Sequence, residues 1–146
     1  MNATDQFQKI QSVLSKKKKL WMDTNPICVF CGHGVTDQDC TMAHLIRRSE
    51  SIPGYSLYQL QTMDINLGLS HFDCHEIFDN DAKAAVYLPK ILSVLKRIRI
   101  INQEYYFRLM NILNPYWPKE EECKQISDES GVLYMQVFSR KLSTNY

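Results

Sequence analysis

The sequence carries almost no net charge: 17 Lys and Arg against 16 Asp and Glu leave +1. Overall basicity therefore gives no argument for a nucleic-acid partner, and only the distribution of charge bears on one. No stretch reaches the ~18 consecutive apolar residues of a membrane span. The opening Met1-Asn2-Ala3-Thr4-Asp5-Gln6 is polar and has no apolar segment of the kind a signal peptide needs. The expectation is a cytoplasmic protein, in its own cell or a host cell, with no membrane partner. Internal repeats and low-complexity segments are missing too. Five cysteines cannot all pair, and their grouping suits metal binding in a reducing compartment better than a disulfide framework.

What is there reads as one domain over residues 1–146, with 45% hydrophobic and 23% charged residues. A chain of this length builds a modest core that a staple would help. Charge is segregated along it. Lys16 to Lys19 form one basic cluster, and Lys90, Lys96, Arg97, Arg99 and Arg108 another. Glu120, Glu121, Glu122, Asp128 and Glu129 are the acidic counterpart.

Apolar spacing (Phe7, Ile10, Val13 or Leu14, Trp21) predicts a helix over 4–22, capped by Thr4 or Asp5. Its lysine-rich end reads first as a solvated helix terminus, and only second as a phosphate contact. Asn25-Pro26 breaks it. Residues 41–46 form a short strand, and Glu50 to about Met63 a loop. Asn66 to Ser70 form a second strand, antiparallel to the first. Asp73 with Glu76 has the capping-box pattern, so a helix is expected from Cys74 to Ala85. Beyond Pro89 the longest helix covers Lys90 to Leu113, and Val132 to Phe138 a late strand. The fold class is α+β and mostly helical.

Two ligand pairs share one spacing: Cys28-Val-Phe-Cys31 and His71-Phe-Asp-Cys74. Facing each other, they supply three sulfurs and one nitrogen, the closed tetrahedral set of a structural zinc. Cys40 competes for the fourth place but has no spaced partner, and Cys123 sits among glutamates as a spare thiol. Directly after Cys74 comes His75, which must point away from a closed site. Asp79 lies one helical turn on, so the two can share a divalent cation. His44 on the neighbouring strand can take a proton from water. Asn66 can cross-link backbone across the strand pair or hold the His44 ring. Arg47 and Arg48 have the geometry to grip phosphates. Each has a bland alternative: His44 a packed core residue, Asp79 a turn starter, the arginines solvated. Joint spacing is what lifts the set above its members.

His44, Asn66 and His75, wrapped in the two knuckles, resemble the HNH endonucleases with their ββα-metal core. Ala43-His44-Leu45-Ile46-Arg47-Arg48-Ser49 is similar to that family's AHI-x-P-R-S segment. The resemblance covers about residues 26–85, leaving an N-terminal helix (1–25) and a helical extension (86–146) outside it. It implies His44 as general base, Asn66 as orienting residue, and His75 with Asp79 as ligands of magnesium or another divalent ion. The implied activity is hydrolysis of DNA phosphodiesters, by an enzyme of phage or mobile-element type; oligomerisation is not indicated. Two positions depart from the pattern: Ala43 stands where a metal ligand is usual, and His71 where a cysteine is. The alternative is a catalytically degenerate zinc module that binds nucleic acid or a protein partner. In that reading the basic face of the long helix, with Lys90, Arg97 and Arg108, is the contact surface.

Overall fold

A computed structural model describes residues 3–118; Cys123, the acidic segment and the expected strand at 132–138 lie outside them. The described chain is α+β and mostly helical, with one two-stranded antiparallel sheet. No described helix is long and apolar enough to cross a membrane.

Helix α1 runs Ala3–Thr24 and buries Ile10 and Leu14. Pro26 lacks the amide to continue it. The chain then turns through Gly32, whose φ of 79° suits glycine. Strand β1 (Thr41–His44) pairs with β2 (Leu67–Ser70) in the register Thr41↔Ser70, Met42↔Leu69, Ala43↔Gly68 and His44↔Leu67. Between them come α2 (Leu57–Thr62) and a 3-10 turn, Asp64–Asn66. After β2 follow α3 (Phe72–Asn80), α4 (Ala82–Ala85), α5 (Ile91–Ile101) and α6 (Gln103–Leu113).

The main core joins the apolar stripe of α5 (Ile91, Val94, Leu95, Ile98) to Tyr106, Met110 and Leu113 of α6 and to Phe30, Ala43, Ile46 and Leu69. A smaller cluster, Ile10, Leu14 and Leu67, seats α1 on the strand pair. The knuckle segment presses on β2 as well. Val29 N donates to Leu69 O at 2.8 Å, and a Cβ on Gly68 would come within 2.5 Å of the Val29 side chain.

Four expectations about the helices are corrected, each by a capping hydrogen bond. The loop expected over 50–63 contains α2, because Ser56 and Gln59 close a reciprocal capping box. The third helix begins at Phe72 with His71 as its N-cap, not at Cys74 capped by Asp73; Asp39 reaches across to accept from Phe72 N at 3.2 Å. It ends at Asn80, since Asp81 leaves the helix and caps α4 through Ala84 N. The long helix is divided at Asn102, which is extended (φ −158°, ψ 116°) and accepts from Tyr105 N, starting α6 afresh.

Strand β1 stops at His44, short of the expected Ile46, because the next two residues bond to Asn66 instead. That side chain is fully buried. Its Oδ1 accepts from Ile46 N at 2.7 Å, and its Nδ2 donates to Leu60 O at 2.8 Å and Ile46 O at 3.3 Å. Asn66→Ala leaves three buried backbone groups unpaired, so we expect a loss of about 3–5 kcal/mol in urea denaturation. A loss below about 1 kcal/mol contradicts this assignment.

Candidate metal centre and the adjoining cleft

The turn at 28–31 and the start of α3 bring Cys28, Cys31, His71 and Cys74 together, with all four donor atoms within 4.8 Å of one another. Cys31 Sγ lies 3.4 Å and Cys74 Sγ 3.8 Å from His71 Nδ1. Tetrahedral zinc with bonds of about 2.3 Å to sulfur needs ligand separations of about 3.5–4 Å. The other ring nitrogen, Nε2, is held by Gly34 O at 2.9 Å, which turns Nδ1 toward the sulfurs.

The acidities of the thiols fit a cation at their centre. Burial pushes Cys28 up, but the backbone amides of His71, Cys31 and Phe30 outweigh it and bring the thiol to about 7. Burial and then the neighbouring Cys28 and Cys31 push Cys74 up to about 12. Thiols crowded this way cannot all ionise without a positive charge among them. Cys40 is buried apart from the cluster, with its Sγ 3.9 Å from Thr41 O.

Beside this closed group opens a cleft of about 900 Å³, lined by His44, Arg47, Arg48, Gln61, His75 and Asp79, with one face of α1 opposite. Its floor is His44, only 7% exposed. His44 Nε2 lies 2.9 Å from Gln61 O. A carbonyl only accepts, so Nε2 carries the proton and Nδ1 of the neutral ring keeps its lone pair. Burial lowers the His44 pKa, and the charges of Arg48 and His75 add to this against the opposing Gln61 carbonyl.

His75 and Asp79 face each other on α3, Nε2 to Oδ2 at 3.0 Å. Phe30 stacks on the imidazole at 6.3 Å between ring centroids. Asp79 Oδ1 is buried with no hydrogen-bond partner among the described residues, the kind of orphan acceptor a cation would satisfy. The pair is still only two ligands. Among the described residues the Cys3His group alone brings three or more metal-binding side chains this close. Ala43 is fully buried and adds no donor.

Of the residues singled out from sequence, His44, Arg47, Arg48, His75 and Asp79 therefore share one cleft, while Asn66 lies buried behind it. Of its two candidate tasks the backbone cross-link is the one observed, and the Gln61 carbonyl holds the His44 ring. The exposed Arg47 donates to the carbonyl of Asp79, tying the two walls together.

Of the cations of the expected long helix, Arg97 is engaged most fully elsewhere. Arg97 donates to the carbonyls of Asp64, Ile65 and Leu67. The Lys90 chain covers Gly32, and Arg108 meets Glu50 at 3.5 Å. Sequence reasoning missed the wall that α1 gives the cleft, although Phe7, Gln11, Ser15 and Lys18 recur at helical spacing.

Neither a scan against protein-family models nor searches of curated proteins and of solved structures finds a match to this chain.

We expect the purified protein to hold about one zinc per chain. Cys28→Ser or Cys74→Ser should abolish it and lower the melting temperature, whereas Cys40→Ser should retain it. Elemental analysis of the three variants decides. Zinc lost with Cys40, or kept without Cys74, contradicts the ligand set.

Proposed function

We propose that this chain is a metal-dependent endonuclease of HNH type, with a ββα-metal core formed by β1, β2 and α3, which hydrolyses DNA phosphodiester bonds. One observation carries the reading. A buried imidazole, held by a backbone carbonyl at Nε2, shares a cleft with a His–carboxylate pair and two arginines.

In this reading zinc at Cys28, Cys31, His71 and Cys74 is structural and holds α3 against the strand pair. His75 and Asp79 would hold magnesium or another divalent ion, whose charge would stabilise the phosphate as negative charge builds on it. His44 Nδ1 takes the proton of the attacking water. The Gln61 carbonyl then stabilises the imidazolium through Nε2–H, at no cost in reorientation. Arg48, with no hydrogen-bond or ion-pair partner among the described residues, is available to grip the phosphate. Arg47 supports it with the N–H groups not committed to Asp79.

Two observations favour the second reading, a binding-only zinc module: the buried Ala43 offers no ligand, and His75 and Asp79 already satisfy each other at 3.0 Å. Plasmid cleavage separates the readings. Zinc-loaded wild type should cut plasmid with magnesium or manganese, and His44→Ala should be slower by about 100- to 10,000-fold. Folded, zinc-loaded wild type that leaves both plasmid and single-stranded DNA intact across those ions overturns the nuclease reading and leaves the binding module.

The pH profile follows from the direction of the His44 shift. Protonated His44 cannot accept a proton, so the rate falls as pH drops through its lowered pKa. We expect the acid limb of the single-turnover rate to lie below the ordinary histidine value of about 6.5. A limb well above that value contradicts His44 as the base.

A further inference from the structure

The wall opposite His44 narrows the substrate class. Phe7, Gln11, Leu14, Ser15 and Lys18 line the cleft from a single face of α1. From Phe7 to Lys18 this face runs about 16 Å, long enough to follow a short stretch of one strand. Its two ends differ in chemistry. Phe7 is 58% exposed, an aromatic ring standing in solvent at the lip. Lys18 gives one of its three N–H donors to Cys40 O at 3.1 Å and keeps the rest for the cleft.

His44, only 7% exposed, lines this cleft together with α1 and the loop bearing Arg47 and Arg48. The space is about 900 Å³. That is the size of a small-molecule site, with room for a few nucleotides of one strand. A flexible strand can enter such a slot and leave its bases free for an aromatic platform.

We propose that the cleft takes a single, unpaired strand of nucleic acid, with Lys18 and Arg48 on phosphates from opposite walls and Phe7 stacked on a base at the lip. The proposal rests on the nuclease reading for the location of the reacting phosphate, but its contacts can be tested without cleavage.

The test is equilibrium binding of labelled oligonucleotides of about ten nucleotides, DNA and RNA, each as strand and duplex, to zinc-loaded His44→Ala protein. The strand should bind more tightly than its duplex. Phe7→Ala should weaken strand binding by about 5- to 100-fold; this side chain is exposed, and an unchanged melting temperature will confirm an intact fold. Lys18→Gln, which keeps a donor for Cys40 O, should reduce the salt dependence by about one phosphate contact, a slope change of about 0.7.

A strand of either sugar bound more tightly than its duplex supports the proposal, and comparing the two identifies the polymer. Duplex bound as tightly as strand, or strand affinity untouched by Phe7→Ala, overturns it. Failure here is distinguishable from failure of the nuclease reading. Wild type that cuts nothing yet binds strands through Phe7 removes only the latter. Wild type that cuts duplex, with no strand preference in the His44→Ala protein, removes only the former.

Discussion

Everything in the candidate site depends on four side chains, from two distant parts of the chain, meeting at one point. Cys28 and Cys31 lie before the strand pair, and His71 and Cys74 at the start of α3. A cation held among them would tie the knuckle to the end of β2, and the Val29–Leu69 hydrogen bond and the tight Val29–Gly68 contact join the two along the strand. Metal binding of this kind is folding energy, because the ligands are not gathered in the unfolded chain. Apart from its ligands, α3 is held by Ile77 and Phe78, which pack against the core, with Phe78 stacked on Phe30. The orientation of His75 and Asp79 thus rests on this packing together with the four-ligand cluster.

Closure on one side and openness on the other come from consecutive residues. Cys74 turns into the sulfur cluster. His75, about 100° further round the helix, turns to Asp79 and the cleft. The second wall is fixed by different means. Asn66 locks the chain after β1 to the end of α2, and α2 presents its Gln61 carbonyl to His44. A buried amide network thereby sets the tautomer of a ring that it never touches. Arg97 does comparable work from outside, binding three carbonyls around the 3-10 turn that carries Asn66.

The parts of this arrangement legible in the sequence are those where chemistry is local. Ligand spacing placed Cys28, Cys31, His71 and Cys74 together, and a one-turn offset placed His75 beside Asp79. Helix caps were half legible. Ser56 with Gln59 and Asn102 carry ordinary capping signals, but apolar periodicity across 90–113 masked the break at Asn102. At His71, the cap comes from Asp39, too distant in the chain for local rules to find. Backbone acceptors such as Gln61 O have no residue-type signature, so the partner of His44 could not be read. The basic residues of α5 and α6 read as a contact face for nucleic acid or a protein partner. Tertiary packing instead engages Arg97 and Arg108 and brings Lys18 of α1 to the cleft.

Cobalt(II) titration of the metal-free protein tests the central claim most directly, since the spectrum reports both ligand type and geometry. The first equivalent should give the intense visible bands of a tetrahedral site together with thiolate-to-cobalt charge transfer, and zinc should displace it. Weak octahedral bands without thiolate charge transfer would show that the four side chains do not close around one ion, and the account of the site built on them would fall.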